Sequence, residues 1–169
     1  MATPLVTVGT TTYTGFVVSS DSGIYQIAGQ SISDPKPQFI TSQCILKFPL
    51  KVGTTWNWYE TTSLLSSDIY EVNDKPVLCK ASVQSVNETV TTPAGTFYNC
   101  IEVVKHGKTF LSVGTFYMEK TLLVNVEDFE WYAPDIGLVK AIYKQTASSN
   151  LQNVYSGELD EQLESFNEK

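Results

Sequence analysis

The sequence predicts an all-β, mainly antiparallel fold, and three observations carry that expectation. Thr, Ser and Tyr supply much of the polarity around a 42% apolar fraction, a mixture suited to half-buried pleated surfaces. Helix formers are short: arginine is absent, and alanine and glutamate are scarce. Short runs rich in β-branched and aromatic residues recur between turn signals along the chain. Many strands joined by tight turns bury their apolar faces only by curving or closing. The architecture expected is therefore a curved sheet forming a half-open barrel, with at most minor helix near the C-terminus. At 169 residues, a single β domain spanning 1–169 is expected.

Taken in order, Leu5–Val8 and Tyr13–Val18 read as two short strands broken at Gly9. Ser19–Gly23 is a turn cluster, the next strand starts at Gly23, and Gly29–Gln38, with Pro35 and Pro37, reads as an extended crossing loop. Phe39–Phe48 leads into the stretch that organises the chain, Lys47–Glu60. There Pro49 and Gly53 interrupt strand geometry, and Trp56 and Trp58, two apart, then share one strand face. A turn or bulge over 61–67, a short strand at 69–72 and a turn at Asn73–Pro76 follow. From Val77 to Thr91 apolar residues alternate, but the buried side changes near Ser85, which predicts a bulge. Thr92–Thr96 is a hairpin turn and Phe97–Val104 its return strand. Lys105-His-Gly-Lys reads as the next turn, because Gly107 can take a positive φ. Runs at 109–118, 121–126, 129–132 and 138–144 read as further strands, with a stop at Ala133–Gly137. Leu151, Tyr155, Leu159 and Leu163 fit a strand or a helix; Gly157 favours strand, with one helical turn allowed near Asp160.

Charge narrows the partners. The net charge is −7 and every cation is a lysine, which argues against nucleic acid and against anionic lipid head groups. No run approaches the about 20 apolar residues of a spanning helix, so no transmembrane span is expected. Met1–Leu5 has neither a basic nor an apolar leader region. The chain is then cytoplasmic, or an export signal has been removed; low charge and high Ser/Thr/Tyr content favour the extracytoplasmic setting: periplasmic, outer-membrane-anchored or secreted. Cys44, Cys79 and Cys100 have no metal-ligand spacing. A turn near Pro93–Gly95 puts Cys100 opposite residues 88–90 and far from Cys79, so free buried thiols are expected.

Three phrases stand in series: Phe48-Pro-Leu-Lys-Val-Gly-Thr-Thr-Trp, Thr92-Pro-Ala-Gly-Thr-Phe-Tyr-Asn-Cys and Trp131-Tyr-Ala-Pro-Asp-Ile-Gly-Leu-Val-Lys. In this order they resemble a family of bacterial exported proteins and lipoproteins of unknown function, over roughly residues 23–166. The resemblance implies a half-barrel similar to the lipoprotein-carrier fold and brings no catalytic residues. Members commonly carry an export signal or a lipidated cysteine, absent from this sequence, and often a glycine at the place of Asp135.

His106 is the one histidine; a turn tip beside glycine is a poor place for a general base. Asp128 and Glu130 share a strand face, as a carboxylate pair for glycoside hydrolysis would, but a solvated edge is the preferred reading. The acidic tail Asp160, Glu161 and Glu164 reads as solubilising. Neither a metal nor a cofactor is expected, and Asn87-Glu-Thr is discounted as a chance match. Trp56, Trp58, Tyr59, Phe97, Phe110, Phe116, Phe129, Trp131 and Tyr132 are first of all core candidates. On a concave face such rings can also hold a lipid-like or carbohydrate ligand. The function expected is a non-catalytic binding domain using Trp56, Trp58 and Trp131, with a lipid-like or carbohydrate ligand or an envelope protein as partner. A structural role through an exposed sheet edge, forming a homodimer, comes second, and a hydrolase last.

Overall fold

A computed structural model describes residues 2–8, 11–31, 33–61, 76–115, 118–149 and 152–164. They form ten strands: β1 (Ala2–Val8), β2 (Thr11–Ser20), β3 (Gly23–Ser31), β4 (Gln38–Lys47), β5 (Thr55–Thr61), β6 (Pro76–Thr92), β7 (Gly95–Thr115), β8 (Met118–Ala133), β9 (Gly137–Ser149) and β10 (Gln152–Gln162). There is no helix among the described residues, hence none long and apolar enough to cross a membrane. Every strand pair is antiparallel, and the order is β1-β2-β3-β4 in one sheet and β10-β9-β8-β7-β6-β5 in the other. The larger sheet is open, with β5 and β10 as its edges, which agrees with a curved half-open sheet and excludes a closed barrel.

Several expectations hold in detail. The side switch expected near Ser85 is there, as register shifts at Val83/Ser85, Ser85/Glu88 and Glu88/Val90. They move burial on β6 from Val77, Cys79, Ala81 and Val83 to Val90 and Thr92. Glu88 faces Cys100, and all three thiols are free. The tail is strand through Gln162, without the helical turn near Asp160.

Three readings are corrected. The loop expected over 29–38 is shorter, because β3 continues to Ser31. The separate strands at 121–126 and 129–132 are one, β8. Most consequential, Lys105–Lys108 is no turn: β7 runs from Gly95 to Thr115, and Gly107 sits mid-strand opposite Cys79. Glycine is needed there for space, since a Cβ would lie 2.4 Å from Cys79 Sγ and 3.0 Å from Leu78 O. The break at Gly9 and the features expected over 62–75 fall outside the described residues.

Burial follows strand parity. On β8 Leu122, Val124, Val126, Asp128, Glu130 and Tyr132 all point to the inner face. One apolar cluster joins Val77, Cys79, Leu111, Leu122, Val124, Val126 and Ala147. A second joins Leu46 of β4 to Trp56, Ala81, Val83, Val103 and Tyr132, so the smaller sheet packs on the larger one through Trp56. Trp56 Nε1 donates to Cys44 O at 2.9 Å, satisfying its one donor across that junction.

Candidate functional site

Between the two apolar clusters, the inner face of the large sheet turns polar. Pairing lines up Trp56, Ala81, Lys105, Asp128 and Tyr143 from β5 to β9. The adjacent row carries Val83, Val103, Glu130, Ala141 and Glu161, and the row on the other side Trp58, Cys79, Gly107 and Val126. Directly opposed residues in an antiparallel ladder share a face, so these side chains meet.

Lys105 is 1% exposed and Glu130 4%. Lys105 Nζ donates to Glu130 Oε1 at 2.5 Å and lies 3.7 Å from the centre of the Trp58 ring. The second Glu130 oxygen accepts from the Tyr132 hydroxyl at 2.6 Å. Trp58 Nε1 in turn donates to Glu60 Oε2 at 2.7 Å. This buried pair is therefore hydrogen-bonded at both carboxylate oxygens, which offsets the cost of desolvating it. Burial and the neighbouring Glu130 charge push the Tyr132 phenol well above its ordinary value, so it stays a donor.

Asp128 differs. It is 0% exposed, and neither carboxylate oxygen has a hydrogen-bond donor. Burial first, and the charge of Glu60 next, push its carboxyl up to about 8, so at neutral pH it holds its proton. The same surroundings push the Cys79 thiol up to about 12 and the Tyr143 phenol above its usual range, with burial the main cause of both. Glu161 is raised by burial and by Glu130. Trp58, Glu60, Tyr143 and Glu161 are half-buried, whereas Asp128 is not exposed at all.

The three sequence-selected tryptophans separate. Trp58 belongs to this cluster, and Trp56 is a core side chain at the sheet junction. Trp131 points to the opposite face, stacked on Phe129 with ring centres 6.5 Å apart and with the Lys140 ammonium 5.7 Å from its centre. Phe110, 71% exposed, is not a core residue, and Phe116 lies outside the described residues. Nor is His106 at a turn tip: it stands exposed mid-strand, Nδ1 3.5 Å from Glu127. Asp128 and Glu130 share a face as expected, but it is a buried one. The unbroken even-numbered alternation from Leu122 to Tyr132 carries that signal. The turn signal at His106-Gly107 masks the buried position of Lys105.

Among the described residues no group of three His, Cys, Asp or Glu is arranged to hold a metal ion. What the cluster can do chemically is hold a charge away from water and exchange a proton at Asp128. Compared with family models, with curated proteins and with solved structures, the chain matches none.

Proposed function

We propose that the protein is a binding module that takes a small, partly apolar ligand on the inner face of its six-stranded sheet. The observation that carries this reading is Asp128, a fully buried carboxyl with no donor at either oxygen. Buried polar groups are nearly always hydrogen-bonded, and an exception marks a place where something else completes the pairing. Trp58 and Tyr143 supply apolar area beside it, and the Lys105–Glu130 pair fixes their surroundings. Of the sequence-selected residues, Trp58 is the one in position to touch such a ligand. An extracytoplasmic setting goes with this reading, supported by the three-phrase resemblance to exported half-barrel domains. Titration with detergents, fatty acids, oligosaccharides and small amines, followed by tryptophan fluorescence, tests it. A shift that Asp128→Asn weakens is expected; no response across that panel refutes the reading.

A second reading, pairing of copies through a sheet edge, is favoured by β4. It is an edge strand of the smaller sheet and exposes Phe39 (85%) and Ile40 (40%). A concentration-dependent dimer on a sizing column that Phe39→Lys abolishes is expected, and a monomer at high concentration rejects it.

A further inference from the structure

Resting on the binding reading, we infer that the ligand of the inner face is an organic cation, an alkylammonium compound whose charged nitrogen is received by Asp128. The charges that face this residue come from every neighbouring strand. β5 brings Glu60, β7 brings Lys105, β8 brings Glu130, and β10 brings Glu161 beside Glu130. β6 contributes the neutral Ala81 and the Cys79 thiol, and β9 the Tyr143 phenol. Glu127, on β8 itself, turns to the outer face, where it pairs with His106. Glu60, Asp128 and Glu130 thus share one lysine, Lys105, with Glu161 beyond Glu130.

That lysine is already committed. Its ammonium is bound to Glu130 and lies against the Trp58 ring. Among the described residues no cation is left for Asp128, whose two oxygens are both without donors. An anionic ligand would meet the like charges of Glu60 and Glu130. A neutral donor would satisfy one oxygen but bring no charge to balance the carboxylate. An ammonium supplies up to three donors and a positive charge together. Trp58 and Tyr143 are rings of the kind that attract cations, and Trp58 demonstrates it with Lys105. The alkyl part would lie against the half-buried Trp58 and Tyr143 rings.

The chemistry balances as a proton exchange. The protonated Asp128 gives its proton to solvent as the ammonium arrives, and a carboxylate–ammonium pair is left. Affinity therefore rises with pH up to about 8, by at most about tenfold per pH unit, and declines once the amine itself loses its proton near about 10.

Isothermal titration of the whole protein with n-hexylammonium, n-hexanol and hexanoate, at pH 7 in two buffers of different ionisation heat, tests this. Hexylammonium is expected to bind with release of up to one proton, more tightly than hexanol or hexanoate by at least tenfold. Asp128→Asn, neutral and of the same shape, should keep the circular dichroism spectrum and lose that preference and the proton release. Stronger binding of hexanol or hexanoate than of hexylammonium, or hexylammonium binding that Asp128→Asn leaves unchanged, overturns the cation assignment. If neutral ligands still shift tryptophan fluorescence through Asp128, the binding reading stands alone. If neither these nor the wider panel bind, both fall.

Discussion

Lys105 and Asp128 are directly opposed on β7 and β8, yet the lysine's ammonium goes to Glu130, two residues along, and leaves Asp128 unpaired. The buried cluster therefore contains one satisfied ion pair and one orphan acid. Trp58 contributes to this choice: its ring lies 3.7 Å from the ammonium, and its own N–H is tied to Glu60.

The first prediction concerns pH. Folding raises the Asp128 carboxyl from its ordinary value of 3.8 to about 8. A group raised by folding contributes its stability in full below the unfolded value and loses it as pH climbs to the folded one. Stability should thus fall between about pH 4 and 8, by up to about 1.4 kcal/mol per pH unit from this one group. Glu102 and Glu161, also raised by burial, add in the same direction. The difference between wild type and Asp128→Asn isolates the first residue. Thermal melts from pH 5 to 9 should show a flatter profile in the variant, and parallel profiles would contradict the assignment.

The second concerns the pair. Lys105→Met keeps the stem and removes the ammonium, so Glu130 retains Tyr132 alone. Breaking one side of a buried pair costs about 3–5 kcal/mol. Adding Glu130→Gln should return part of that loss, because no lone charge then remains buried. Urea denaturation at pH 7 of the two single variants and the double one closes the cycle. An additive result would show that the two residues do not act together.

The third tests why Gly107 is glycine. A methyl group there meets the Cys79 sulfur at 2.4 Å and Val77 Cγ1 at 3.0 Å. Gly107→Ala should lose about 1–3 kcal/mol as overpacking. Cys79→Ala removes the sulfur, so the double variant should be more stable than the sum of the singles allows, by at least about 0.5 kcal/mol. The Leu78 carbonyl, 3.0 Å away and part of the backbone, keeps the rescue incomplete.

The same glycine explains where the sequence misleads. A glycine after Lys-His is a good turn signal by local chemistry, but here the constraint is tertiary: the sulfur across the ladder leaves no room for a Cβ. A turn there would set Lys105 at the surface and His106 at a tip, whereas the strand buries the first and leaves the second exposed mid-strand. Strand existence, the antiparallel arrangement and the bulge after Val83 were legible because alternation is local. The meaning of Asp128 and Glu130 was half legible. Parity places them on one face, but the solvated edge read there is wrong, because their burial depends on a smaller sheet and a distant β5 that no local pattern announces. The split between Trp56 and Trp58 is not legible at all, since both share one face and only their partners, the Cys44 carbonyl for the former and the Lys105 ammonium for the latter, tell them apart.

That split yields the last prediction. Trp56 is 7% exposed, wedged against Leu46, with its N–H committed to Cys44 across the sheet junction. Trp58 is half-buried beside Asp128's row, and Trp131 is on the outer face against Lys140. Replacing each by phenylalanine should therefore separate stability from recognition. Trp56→Phe loses a part-buried hydrogen bond and leaves its acceptor short of a partner, at a cost of about 1–3 kcal/mol, while ligand response persists. Trp58→Phe weakens the hold on the Lys105 ammonium, because the phenyl quadrupole is the poorer cation receptor, and should reduce both the fluorescence change and the affinity. Trp131→Phe should cost some stability, because the ring packs against the cluster of Val90, Phe97 and Cys100, but leave the ligand response unchanged. Denaturation midpoints and ligand titrations on the same three proteins decide the matter. If Trp131→Phe removed the response and Trp58→Phe kept it, the binding face would be the outer one, and the acid cluster would be only a buried ion pair with an orphan neighbour.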